Sequence, residues 1–470
     1  AVGASALKDM NGAHTRNIGI GLAALENAST ATTFTDNIAI GAYAFDDSGS
    51  NDQTGTIAIG YSALTALTSG IDNVGVGYKS LFACNTGQQN TALGTHALYG
   101  TDDGVSNTAI GAYAMHVGNA GTSNTAVGAQ SMIDVTGSYN TAVGMQSLFD
   151  ITSGGSNVAL GALSMKDAHA GESHNIAIGV ETMRDVDEDT NTADYNIAIG
   201  SMALLGGTVG GDFLGNIAIG YHALDATGTN AQTGTIAIGY DALTSLTTGA
   251  RNIAIGYNAG LGLVDSTDCT LIGYMAGEDI DSSGSTPQEC TYIGSYAGRY
   301  LDDGSQNTAL GHGAMEGGTS GGNSCVSNVA IGVDSLFDIT TGDYNTAAGR
   351  FSGGNLTTGS SNTLLGFEAA QSLNIGRYNI VIGHQALNSD DVGDRTIAIG
   401  YKALYSQNSD SDNESTKNTG VGYEAGYYNV TGTENTYFGY GAGGSGAGST
   451  NSHSYNTAIG ANALISLTTG

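Results

Sequence analysis

Histidine, cysteine and clustered carboxylates are the residues here whose types could do chemistry. The nine histidines fall at 14, 96, 116, 169, 174, 222, 312, 384 and 453, and none sits in an HExxH pair. That pair would place two imidazoles on one helical face around zinc. The four cysteines, Cys84, Cys269, Cys290 and Cys325, form no CxxC and no zinc-type cluster. Carboxylates gather in "DVDEDTNTADY" (185–195), "NSDDVGD" (388–394) and "NSDSDNES" (408–415). Asp185, Asp187 and Asp189, and likewise Asp410, Asp412 and Glu414, are candidate oxygen ligands for Ca²⁺. Their spacing matches no EF-hand, and no GGxGxD calcium repeat is present, so solvated loops are the default reading. Ca²⁺ is the one cofactor these residues suggest. Short glycine runs such as "GIG" (19–21) and "GVG" (75–77, 420–422) belong to a repeated turn and make poor phosphate loops. No catalytic constellation stands out, and the reading is that the chain is not an enzyme.

The elements that carry these residues are repeats. "NTAIGAYAM" (107–115) returns as "NTAVGAQSM" (124–132), "NIAIGYHAL" (216–224) and "NTAIGANAL" (456–464). Anchored on the glycine of "AIG", there are 26 copies, with thirteen of the 25 intervals 17 residues long. One residue before the anchor, 24 of 26 positions are Ile, Val or Leu. Two before, Ala or Gly dominates, and four before, Asn does. Three after, every copy has Ala, Ser or Thr, and four after, 19 have Leu, Met or Phe.

A 17-residue period is too short for a helical solenoid, whose units need about 33 residues or more. Alternating residues of a strand point to opposite faces. The reading is therefore all-β: a parallel β-solenoid or β-roll of about 26 short coils, one continuous domain over 1–470 with no separate caps. The Ile/Val column (Ile199, Ile219, Ile238 and Ile255) is expected to form the core ladder with the Leu/Met column. The Asn column (Asn107, Asn124, Asn140 and Asn157) has two readings. Its amides stack along the axis, or they satisfy turn backbone. Cys269 and Cys290 occupy this column in successive coils, and about 4.8 Å between matching Cα atoms is within disulfide range. A disulfide between them is expected, implying an oxidising compartment. Cys84 and Cys325 lie in spacers and look unpaired. Tyrosine often follows the anchor glycine, as at Tyr61, Tyr78, Tyr257 and Tyr423. Such a stripe either packs a coil corner or binds a glycan or partner.

Totals narrow the function. Twelve basic residues against 43 acidic give a net charge of −31, which disfavours nucleic acid and anionic membranes. No apolar run is long enough for a transmembrane helix, so no membrane insertion is expected. There are 75 glycines but one proline, which excludes collagen. Ice binding favours TxT arrays, and "NTA" supplies only one interrupted threonine column.

The "NxAIGxxAL" repeat with glycine-rich spacers resembles the head repeat of YadA-type trimeric autotransporter adhesins, and similar repeats occur in phage tail fibres. The resemblance runs through the whole chain. It implies a left-handed parallel β-roll with three chains around one axis. The unit here is longer than that family's typical one, and the family's stalk and membrane-anchor barrel are not seen. No ligand-binding residue carries over.

The terminal "ALISLTTG" resembles "ALTSLTTG" (242–249), which leads directly into another coil. Joining Gly470 to Ala1 would nearly continue the repeat, so Thr468, Thr469 and Gly470 are expected to meet Ala1, Val2 and Gly3 of the next subunit. The functional expectation is an extracellular structural fibre built by head-to-tail stacking. The alternative is a parallel trimer acting as a surface adhesin or phage-fibre segment. Both place the protein outside the cell or on a cell or virion surface, with itself as principal partner.

Overall fold

The structure is a computed structural model. It describes residues 1–8, 14–26, 33–46, 51–100, 102–118, 121–167, 171–185, 193–206, 212–226, 232–280, 287–318, 323–409, 411, 415–444 and 452–465. The chain forms two compact units, 1–235 and 236–470. Each is a parallel β-solenoid, and no helix occurs among the described residues.

In the first unit, twelve three-residue strands from Ile18–Ile20 to Ile217–Ile219 each pair in parallel with the next copy. Val2 adds a bridge to Ile20 at its start. The second unit repeats this with thirteen strands, Ile236–Ile238 to Thr457–Ile459. Register is in phase throughout: Thr108, Ala109 and Ile110 sit beside Thr125, Ala126 and Val127. Two-residue strands form smaller parallel sheets on another wall, as in His14–Thr15, Phe34–Thr35 and Gln53–Thr54.

The strand faces the opposite way from the sequence expectation. Ala198, Ala218, Ala237 and Ala254 are fully buried, whereas Ile199, Ile219, Ile238 and Ile255 are only part-buried and point outward. The reason is the thinness of the coil. The Leu/Met column four after the anchor fills the interior from the far wall, so opposite it there is room for little more than a methyl group. Even at Gly19, an added Cβ would come within 2.9 Å of the Leu7 side chain.

Exceptions confirm the volume limit. Where the inward strand residue is large, as at Leu271, Tyr292 and Tyr437, the residue four after the anchor becomes Gly277, Gly298 or Gly443. A Cβ on Gly443 would lie 2.2 Å from the Tyr437 ring, and one on Gly298 would lie 2.4 Å from the Tyr292 ring. The core therefore conserves volume across the coil, exchanging one large side chain for another on the facing wall.

The anchor glycine is required by two facts at once. All 26 have φ between +118° and +149°, which L side chains rarely adopt. The space where a Cβ would stand is also taken by the carbonyl of the next anchor: for Gly128, Gly144 O would be 2.2 Å away. After this corner, residues two and four beyond the anchor also take left-handed backbone, as Gln130 (φ 56°) and Met132 (φ 50°) do. Such conformations cost roughly 1–2 kcal/mol each for non-glycine residues. They are offset by backbone bonds in both directions: Gln130 N donates to Ala112 O at 2.9 Å, and Met132 N to Ser147 O at 3.0 Å.

Candidate interaction surfaces

The Asn column is the polar spine that fixes this geometry. Each buried Asn joins its neighbours in two ways. The amide N–H of Asn124 donates to Asn107 Oδ1, and that of Asn140 to Asn124 Oδ1, both at 2.9 Å. The Nδ2 of Asn107 donates to Gly121 O at 2.7 Å, and that of Asn124 to Gly137 O at 2.8 Å. At Asn157, Nδ2 also reaches Asn140 Oδ1 at 3.2 Å, so amide-on-amide contact and turn satisfaction coexist. The column holds structure and is buried, except at Asn17 and Asn456, which are part-exposed.

Cys269 and Cys290 are fully buried free thiols, not the expected disulfide. Each substitutes for Asn in the column's own chemistry. Cys269 N still donates to Asn252 Oδ1 at 3.0 Å. The Cys290 thiol points at Gly304 O, 3.1 Å away, as an Asn amide would. A hydrogen bond to Cys290, with burial, pushes the Cys269 thiol up. Cys84 and Cys325 are also free and buried, and desolvation pushes each to about 12.

The carboxylate expectation is mostly out of view. Asp187, Asp189, Asp410, Asp412 and Glu414 lie outside the described residues. Asp185 is paired with Arg184, whose Nη2 is 2.7 Å from Asp185 Oδ2. Among the described residues, no group of three metal-ligating side chains forms. Of the expected subunit junction, Thr468, Thr469 and Gly470 also lie outside the described residues, while Val2 N donates to Gly19 O at 2.9 Å.

Two surfaces remain, and both arise from the repeat. The first is the outward side of the long sheet in each unit. It carries Ile, Val, Leu or Thr on alternate strand positions, with Leu93, Ile110 and Val143 exposed in the first unit and Leu310, Ile331 and Phe438 in the second. In-phase pairing aligns them into a continuous aliphatic stripe within each unit. The sequence reading placed these residues inside, so this surface was missed. The exchange between Tyr292 and Gly298, and between Tyr437 and Gly443, was the available clue to the inward column.

The second surface is aromatic. Tyrosines after the anchor stack ring on ring between successive coils: Tyr61 on Tyr78 at 5.5 Å, Tyr257 on Tyr274 at 5.4 Å, and Tyr423 on Tyr440 at 5.1 Å. Interplanar angles of 11°, 13° and 8° mark parallel stacking. The stripe is exposed, with Tyr61, Tyr78 and Tyr423 each more than 40% accessible. Several of the scarce cations rest on these rings. Lys402 Nζ lies 5.5, 5.0 and 6.0 Å from the centroids of Tyr401, Tyr405 and Tyr427. A shallow depression in the first unit is lined by Tyr43, Asp46, Tyr61, Thr65, Lys79 and Phe82.

Histidines join the same stripe. His96 stacks on Tyr113 at 5.1 Å and meets His116 edge-on at 5.6 Å. Burial first, then the nearby His116 and Lys79 charges, push the His96 imidazole down. No protein-family model matches the chain, and no curated protein matches it.

Proposed function

We propose that the protein is an extracellular or surface structural fibre component whose chains associate side by side through the outward aliphatic stripe of the long sheet. The observation that carries this reading is the stripe itself: β-branched and leucine side chains left half-exposed on strand after strand while alanine fills the core. A second copy presents the same flat, in-phase pattern, so the surface is self-complementary. Covering each half-exposed aliphatic side chain contributes about 1 kcal/mol, and the repeat multiplies that term. The YadA-like resemblance favours three parallel chains. A net charge of −31 keeps assembled fibres apart in solution.

The test is the mass of the purified full chain in solution, by native mass spectrometry or light scattering. A trimer that dissociates when Ile110 and Ile331 are changed to Asp supports the reading. A chain that stays monomeric at micromolar concentration sinks it. End-to-end polymers unaffected by those substitutions would instead support head-to-tail stacking. The exposed tyrosine stripe favours a second role as an adhesive surface, with the fibre presenting it to a partner.

A further inference from the structure

We propose that the stacked tyrosines Tyr401, Tyr423 and Tyr440 are a site of oxidative cross-linking, at which neighbouring coils become joined by dityrosine. The three rings form one column. Tyr401 and Tyr423 lie 4.8 Å apart at 15°, and Tyr423 and Tyr440 lie 5.1 Å apart at 8°. All three are exposed, so an oxidant can reach them. The chain has no tryptophan, and its four cysteines are buried. Among the side chains that solvent reaches, tyrosine is therefore the one that most readily gives up a single electron, whereas an exposed methionine such as Met145 takes up oxygen instead and forms no cross-link.

Tyr423 is the focal residue. It is the only one of the three with a stacked tyrosine on both sides. Glu424 is its neighbour in the chain, and desolvation first, then that carboxylate's charge, pushes the Tyr423 phenol up. A parallel pair, Tyr405 on Tyr427, stacks at 5.1 Å and 6° beside it. Buried Tyr437 is an internal negative control.

The chemistry requires a one-electron oxidant, here a peroxidase with hydrogen peroxide. Each of two phenols loses one electron and its hydroxyl proton to give a phenoxyl radical. The two radicals join through their ortho carbons. The two ortho hydrogens then shift to the oxygens and restore both phenols. One hydrogen peroxide is reduced to two waters, and the product is lighter than the two tyrosines by two hydrogens.

The test treats the full chain with peroxidase and hydrogen peroxide and maps linked peptides by mass spectrometry. A mixture of ¹⁴N- and ¹⁵N-labelled protein separates links within a chain from links between chains. The expected result is Tyr423 linked to Tyr401 or Tyr440 within one chain, in a yield unchanged on dilution. Tyr423→Phe preserves the stacked ring and should abolish these links while the Tyr405–Tyr427 link persists. Links found only between chains, or scattered over tyrosines with no stacked neighbour, would overturn the proposal.

Discussion

Replacing Asn345 with Ala isolates what one rung of the Asn column does. Asn345 is fully buried. Its Oδ1 accepts from Asn362 N and from Asn362 Nδ2, both at 3.0 Å, and its Nδ2 donates to Gly359 O at 2.9 Å. Alanine leaves the Asn362 amide and the Gly359 carbonyl without these partners. Each orphaned buried backbone group costs about 1–3 kcal/mol, so the pair costs about 4 kcal/mol. Repeat arrays open locally, so a global melting temperature would understate the effect. Hydrogen exchange across 345–365 reads it directly. At about 1.4 kcal/mol per tenfold, 4 kcal/mol speeds exchange of the Asn362 amide by nearly three decades. Asn345→Asp adds a sign test. It keeps an acceptor for the Asn362 amide but turns a carboxylate oxygen toward Gly359 O. Burial should raise that carboxyl's pKa, so the folded state would bind the proton more tightly, and protection should recover as pH falls. Acceleration below about fivefold for Asn345→Ala, or protection of Asn345→Asp insensitive to pH, would show that the column does not hold coils together.

Three further outcomes follow from the same geometry. Gly128→Ala should locally unfold its coil at a cost of at least about 2–3 kcal/mol, seen as protease cleavage near 128, because the new methyl meets Gly144 O and the backbone is left-handed. Thr56 interrupts the Asn column with a buried hydroxyl that has no partner, so Thr56→Asn should stabilise its coil by about 1 kcal/mol in hydrogen exchange. Burial raises the Asp390 carboxyl from its ordinary value near 3.8. The folded chain then holds that proton to higher pH than the unfolded chain, so its stabilisation is full below about pH 4 and is lost as pH rises through the raised value. Asp390→Asn should flatten this dependence in denaturant titrations of the second unit.

The coil was legible in the sequence because its constraints are periodic. The anchor glycine, the Asn four before it and the Leu four after it each recur in one column, and the structure gives each a fixed place. What misled was the strand's own alternation. A period of two says which residues share a face but not which face is inward, and size suggested Ile199 over Ala198. The answer lay in the opposite wall, whose leucines stand close against the inward strand position, as Leu7 does against Gly19 and Leu64 against Gly75. Left-handed backbone at residues such as Gln130 and Met132 was not legible, because no local preference of those side chains produces it. It is imposed by hydrogen bonds to coils on both sides. The thiols of Cys269 and Cys290 show the same limit: shared register makes a pair adjacent without making it bonded.

The anchor-glycine column also bears on how such a chain changes over generations. From Gly3 to Gly200 and from Gly239 to Gly439, each missing Cβ is filled by the carbonyl of the following anchor, so one copy fits onto any other copy that carries the same glycine. Recombination between misaligned repeats could then delete or duplicate whole coils without requiring a new packing solution. Point mutation of the glycine has no such freedom. The gene would be expected to drift readily in copy number while every copy stays under strong purifying selection at one codon.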